Sequence, residues 1–453
     1  MYKKWNKLLQ NGFGWAVVFL IIQQLIVASS SIWITKLILS ISNEQPALVW
    51  LWLYLASLVL PYIPGALALI HVCNCQARSC VSYVQSFSEI YPGRIGSWSD
   101  NNDRNTNSAI LSGEACPTIN GYIEYLYHLL SSALNVFLNL LVLAVLIDLS
   151  LLITYAIGIT LSSFILYFQK KVRIKLALKA QKSRIQWTSL ILKAWDNVLL
   201  NNTYNLNKWI SRVFIKGKSL IERAISLEKF NQSIGILMAF ALVLPSLALI
   251  SFYAIQHINN IAALAMLTVV LPRLFQILTY SYELLFLASD FPMQKAKMNT
   301  VLSILDLPKH DENKVNFLGR IQWEGIHAKM QRDEKIQVKE LLQNIPSRGR
   351  ITLQGDNGTG KTSFLLMMKV KYKDQAFYLP SKHDLIFNIN KNQLSTGQMT
   401  FSILKELNRN VKTPIILLDE WDANLDSKNR GEISSLIDDL SSSCCVVEVL
   451  HVR

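Results

Sequence analysis

Apolar runs about as long as a bilayer is thick recur along this chain, separated by polar segments of very unequal length. Six such runs stand at about residues 12–41, 47–72, 121–147, 149–169, 231–256 and 260–288. Each is near the ~20 residues that a helix needs to cross the hydrocarbon core. The connections near Asn43–Pro46, Asp148 and Gln256–Asn260 are short and lack Lys and Arg, whereas residues 73–120 and 170–230 are long and polar and contain Lys or Arg, densely in the second. Basic loops stay on the cytoplasmic side, so the pattern predicts both termini inside. From Lys170 to Arg223 apolar and basic residues mix without Pro, which predicts membrane helices that run on into the cytoplasm and meet at a short turn near Asn201–Asn207. Residues 92–118, with Gly, Asn, Ser and Asp, predict a second turn, and Pro61 and Pro64 a kink in the second span. The opening Met1, Tyr2, Lys3, Lys4 leads into an apolar run too long for a cleaved signal, so Lys3, Lys4 and Lys7 are expected to hold the start of the first helix inside.

Composition narrows the class. Of 453 residues 51% are hydrophobic and only 17% charged, where a soluble domain carries about a quarter charged. Intrinsic disorder, collagen and coiled coil are excluded with the ordinary soluble enzyme. A prior of about 150 residues per domain allows two or three units. The predicted division is a membrane bundle over 1–300, a linker over 301–315 that contains Pro308, and a polar globular domain over 316–453. The net charge of +14 by itself would suit nucleic acid. Its location argues otherwise: thirteen Lys or Arg face only Asp196 and Glu222 between Lys170 and Arg223, in a loop between two spans, and no nucleic-acid module is recognisable. Cys73, Cys75 and Cys80 lack a further ligand at zinc spacing, so the six cysteines read as reduced thiols.

The soluble part carries phosphate chemistry. Gly355, Asp356, Asn357, Gly358, Thr359, Gly360, Lys361, Thr362 match G-x-x-x-x-G-K-[ST]. Ile351–Leu353 predict a strand entering the loop, and Ser363–Val370 a helix leaving it. Backbone N–H groups of such a loop cradle phosphate oxygens; Lys361 would reach the β and γ phosphates and Thr362 the magnesium ion. Further on, Ile415–Leu418 predict a buried parallel strand with Asp419 and Glu420 at its carboxyl end, where ligands bind in open α/β sheets. Asp419 would hold Mg2+, directly or through water, and Glu420 would polarise the attacking water.

Between these two elements lies Leu394, Ser395, Thr396, Gly397, Gln398. The order phosphate loop, LSTGQ, ILLDE, then Ala423, Asn424, Leu425, Asp426, then His451 resembles the ATP-binding cassette of ABC transporters. The six-span half with its two long loops, and Lys295–Pro308 leading into the cassette, resembles an ABC half-exporter. The wording LSTGQ with Asp419, Glu420 and Trp421 is similar to the branch that exports cyclic peptides and siderophores. The resemblance implies a homodimer that closes head to tail around two ATP molecules, with Ser395 and Gly397, beside Gln398, meeting the γ-phosphate held by Lys361 of the partner. It implies that His451 senses that phosphate. It further implies a multi-pass bacterial inner-membrane protein that exports a small amphipathic, peptide-like cargo by ATP hydrolysis. A lipid or multidrug exporter, and an ATP-gated or regulatory membrane protein with a degenerate cassette, are the alternatives.

Three features depart from the family. Lys361 and Ser395 lie so close in sequence that little room remains for the helical subdomain usually found between them, so the fold class expected is a six-helix bundle fused to an α/β P-loop domain with a reduced helical subdomain. Ser381 stands where the family has the glutamine that reaches magnesium. Met330 stands where the family offers adenine an aromatic ring, and a thioether covers the base with weaker stacking, which predicts poor discrimination between ATP and GTP. Within the last span Arg273 is either the attractor in a cavity for anionic or carbonyl-rich cargo or half of a pair, with Glu283 or across helices, that packs the bundle. His71 and His128 read as interfacial or packed.

Overall fold

The computed structural model describes residues 12–99, 107–108, 110–146, 150–191, 193–256, 258, 261–306, 317–330, 335–389, 396–423, 425 and 427–450. The chain divides into two compact units. One comprises Met1–Gln85 with Leu111–Ser303, the other Ser86–Ile110 with Ile304–Arg453. The grouping of Ser86–Ile110 with the C-terminal residues does not follow chain order.

The first unit is helical: α1 (Phe13–Ser42), α2 (Leu48–Val59) and α3 (Tyr62–Ile90), then, after the short α4 (Ile95–Ser99) of the second unit, α5 (Ala115–Leu146), α6 (Ser150–Ile191), α7 (Ala194–Leu199), α8 (Thr203–Gln256) and α9 (Ile261–Ser303). Among the described residues, five helical stretches are long and apolar enough to cross a membrane, namely Phe13–Ser42, Leu48–Ile90, Ile110–Leu146, Leu152–Ile191 and Thr203–Gln256. The sixth expected run falls on α9, which is not among those five. Pro61 lies in the gap between α2 and α3, since proline donates no backbone hydrogen bond. The expected turn near Asn201 separates α7 from α8. At 54 residues, α8 is about 80 Å long, well beyond a hydrocarbon core of ~30 Å.

Packing in this unit inverts the soluble pattern. On α1 the buried stripe is Ala16, Leu20, Gln24, Ala28, Ser31 and Thr35, recurring every three or four residues, while Trp15, Val18, Ile22 and Leu25 are exposed. Small and polar side chains let helices approach closely, and large apolar ones face lipid. A cluster of Val136, Leu143, Tyr155, Leu242, Leu274, Ile277 and Leu278 ties α5, α6, α8 and α9 together.

The second unit is built on a six-stranded sheet in the order β2-β1-β3-β6-β5-β4. Its strands are β1 (His327–Met330), β2 (Lys335–Ile336), β3 (Gly349–Gln354), β4 (Ala376–Leu379), β5 (Ile415–Asp419) and β6 (Cys445–Val449). β3, β6, β5 and β4 are parallel, and β1 pairs antiparallel with both β2 and β3. The helices are α10 (Val338–Gln343), α11 (Lys361–Tyr372), α12 (Thr396–Asn410) and α13 (Ser427–Ser441). Alternation along β5 explains its unbroken apolar run: Ile415 and Leu417 meet Phe364, Leu365 and Met368 of α11 on one face. Ile416 and Leu418 meet Leu404, Leu407, Ile433 and Ile437 of α12 and α13 on the other. A strand covered on both sides has no solvent face to leave polar. Residues 307–316, which hold most of the expected linker, lie outside the described residues.

Candidate nucleotide site

β3 ends at Gln354 and α11 begins at Lys361, with the glycine-rich loop between them. Two glycines show why the loop takes this path. Gly360 caps α11 with φ +91, and a Cβ there would strike the Arg320 carbonyl oxygen; at Gly355 it would strike that of Gly325. Any side chain would therefore spread the loop away from the residues that precede β1. Thr359 is buried and closes the turn through its hydroxyl, which donates to the Asp356 carbonyl at 2.8 Å. Its own carbonyl accepts from Gln322 N at 2.9 Å. Asn357 and Gly358 form the exposed tip.

Lys361 is buried, its ammonium folded onto the loop's own carbonyls, 2.7 Å from Gly355 O and 3.0 Å from Asp356 O. The next side chain, Thr362, donates to Asp419 Oδ1 at 3.1 Å, and Ser363 follows on the first turn of α11. The start of α11, which follows β3, thus meets the end of β5 although β6 lies between those two strands. Burial pushes the Asp419 carboxyl above the usual carboxylate range; hydrogen bonds from Tyr378 and Thr362 draw it back, Glu420 raises it and Lys361 lowers it. The hard oxygens of Thr362 and Asp419 are the ligand type that Mg2+ takes.

Tyr378 is the residue that sequence reasoning missed. Its hydroxyl donates to Asp419 Oδ2 at 2.9 Å, while Ser381, the expected metal contact three residues on, is exposed. Tyr378 pairs with Leu417 across β4 and β5, which puts its side chain on the face shared by Leu417 and, two residues on, Asp419. Burial, followed by the Asp419 charge, raises the Tyr378 phenol, so it stays a donor. On its other side Trp98 of α4 packs edge-on, with ring centroids 5.7 Å apart at 86°. The sequence signal for Tyr378 is no more than its place three residues before Ser381.

Glu420 adopts a left-handed backbone, φ 47, sparsely populated by residues with a side chain. Its N–H donates to Val449 O at 3.0 Å and its carbonyl accepts from Ala423 N at 3.1 Å. Behind it the indole N–H of buried Trp421 donates to Glu448 Oε2 at 2.9 Å. Glu448 is fully buried and also accepts from Arg350 Nε at 2.8 Å, from its NH2 nitrogen at 2.9 Å and from Thr352 Oγ1 at 2.7 Å. This network on β3 and β6 anchors the residue beside Glu420.

Met330 sits at the far end of β1, paired with Ile351 and with its methyl group against Gly349. Four strand positions separate Ile351 from Gly355, about 13 Å. Gly397 is buried on the first turn of α12, where a Cβ would come within 2.9 Å of Asn429 Nδ2. Gln398 beside it is exposed. Ser395, His451, Asn424 and Asp426 lie outside the described residues.

No protein-family model matches the sequence, and a search of curated proteins finds no match. Among solved structures, the fold is similar to that of a bacterial Atm1-family ABC exporter with ATP bound. The TM-score is 0.59 at 11% identity, over 96% of this chain and 91% of the exporter's. The chain therefore has the fold of an ABC exporter. The likeness carries no residue roles.

Proposed function

We propose that this chain is half of an ATP-driven exporter, working as a homodimer in a membrane, with both termini on the cytoplasmic side, to expel a small amphipathic, peptide-like cargo. Residues 1–300 form the membrane domain and 316–453 the cassette. One observation carries the nucleotide part: Thr362 and Tyr378 hold the two oxygens of Asp419 at the carboxyl end of β5, beside a lysine already lying in a glycine loop. Gly355–Ser363 bind the phosphates. Thr362 and Asp419, with Ser381 as a further contact, would hold Mg2+, which when bound would screen the phosphate charge. Met330 covers the adenine. Glu420 takes the proton of the attacking water, and Lys361 neutralises charge on the phosphates leaving the bond. In the partner's site Ser395, Gly397 and Gln398 cover the γ-phosphate, and His451 senses it.

Transmission to the membrane helices runs through Ser86–Ile110. This segment begins in the last turn of α3 and groups with the cassette, where Trp98 leans on the tyrosine that holds Asp419. Closure around ATP shifts Asp419 and Tyr378, and the contact passes that shift to α4.

The test is Glu420→Gln in the purified dimer in lipid. The substitution keeps size and hydrogen bonding and removes the base, so ATP is trapped and turnover falls by about 10²-fold or more. Phosphate release at the unaltered rate removes Glu420 from its role. Cargo-stimulated hydrolysis distinguishes export from a gate that only binds ATP.

A further inference from the structure

Arg273 is a cation of the helical unit that no carboxylate pairs with among the described residues. Its helix, α9, carries Glu283 ten residues on, about 15 Å away along the axis. Glu283 is exposed and lines a different cavity with Glu228, Asn231 and Phe286, so a packing pair between the two is not what the structure contains. Among the described residues the ion pairs of this unit are Arg173 with Asp290 and His128 with Glu124. Arg273 instead spends its NH1 nitrogen on Gln276 Oε1 at 2.7 Å and its NH2 nitrogen on Val27 O at 2.6 Å and Ser30 Oγ at 3.3 Å. All three acceptors are neutral, and the buried Nε–H has no partner. A guanidinium held in a fixed orientation by neutral acceptors keeps its full charge for something else.

That charge borders a cavity of about 240 Å³. Its wall is apolar at Ile34, Leu58, Leu143 and Pro272 and polar at Ser31 and Tyr54. One turn from Leu143 on α5, buried Asn139 has an amide oxygen without a partner. The volume is below the ~300 Å³ at which whole-ligand pockets begin, so it suits the end group of a longer molecule.

We propose that Arg273 is an anion-binding residue of the membrane unit, which takes the carboxylate or phosphate end of an amphiphile whose apolar part lies along α1, α2 and α5. Calling that amphiphile the cargo rests on the export reading; the binding site itself does not.

The experiment uses full-length protein in phosphatidylcholine nanodiscs. Binding of decanoate, decyl phosphate, methyl decanoate and decylamine is measured for the unaltered chain, Arg273→Lys and Arg273→Gln, with a fluorescent ATP analogue as a separate readout. The two anions should bind at least about tenfold more tightly than the ester and the amine. That preference should vanish in Arg273→Gln and partly survive in Arg273→Lys, which keeps the charge without the planar fork. ATP-analogue binding should not change. Loss of decanoate binding when phosphatidylglycerol is added would identify the anion as a lipid headgroup, and persistence would identify a free amphiphile; either assigns the site. Equal binding of acid and ester, or undiminished anion binding by Arg273→Gln, overturns the inference. Failure to bind the ATP analogue would sink the export reading while leaving the anion result to stand or fall alone.

Discussion

Arg350→Met tests whether the buried network behind Glu420 holds the hydrolytic end of the sheet. Glu448 has no exposed surface and accepts four hydrogen bonds, two of them from Arg350. Asp438, half exposed, is a second and weaker partner of the same arginine at 2.9 Å. Methionine keeps much of the apolar stem but leaves a carboxylate buried with only Thr352 and Trp421 as donors. Removing one partner of a buried ion pair costs about 3–5 kcal/mol. A global unfolding midpoint would mix two units, so hydrogen exchange in the intact protein is the assay. At 1.4 kcal/mol per tenfold, peptides from β3 and β6 should exchange about 10²- to several 10³-fold faster, with α1 and α5 unchanged. ATP hydrolysis should fall with them, because Trp421 loses the anchor that orients the neighbouring Glu420. Arg350→Met combined with Glu448→Gln removes the stranded charge and leaves Trp421 an acceptor, so most of the protection should return. Unchanged exchange in the single variant, or a double variant no better than the single one, would refute the reasoning.

The remaining predictions concern the site and its link to the helices. Tyr378→Phe keeps the ring against Trp98 and removes one of two hydrogen bonds to Asp419, so Mg2+ titration of ATP hydrolysis should show affinity about 10–100-fold weaker; an unshifted curve would dismiss Tyr378 as a bystander. Trp98→Ala should leave basal hydrolysis intact and abolish its stimulation by cargo, and normal stimulation would show that the aromatic contact transmits nothing. ATP and GTP should compete equally for the unaltered site, while Met330→Tyr should gain about 0.5–1.5 kcal/mol of stacking, a preference for ATP of roughly two- to tenfold. Strong ATP preference in the unaltered chain would reject the place given to Met330.

Whatever depended on neighbours in sequence was open to reading. A helix is made by residues within a few positions of each other, so the apolar runs at 12–41 and 231–256 announced α1 and the second half of α8. The phosphate loop was legible for the same reason: Gly355, Gly360 and Lys361 act within one turn of chain, and the four apolar residues before Asp419 could only suit a strand covered on both faces. Tertiary structure decided the rest, because the partners are far apart in the chain. Tyr378 meets Asp419 from 41 positions away, and Arg350 meets Glu448 from 98. Trp98, on the short α4 between two long helices, meets Tyr378 of a sheet whose first strand begins more than two hundred residues later. No local spacing encodes such meetings. Arg273 makes the point most plainly, for its sequence neighbour Glu283 was a plausible counter-ion until the rise of one helix put them about 15 Å apart and turned the guanidinium toward Val27 and Ser30 of another.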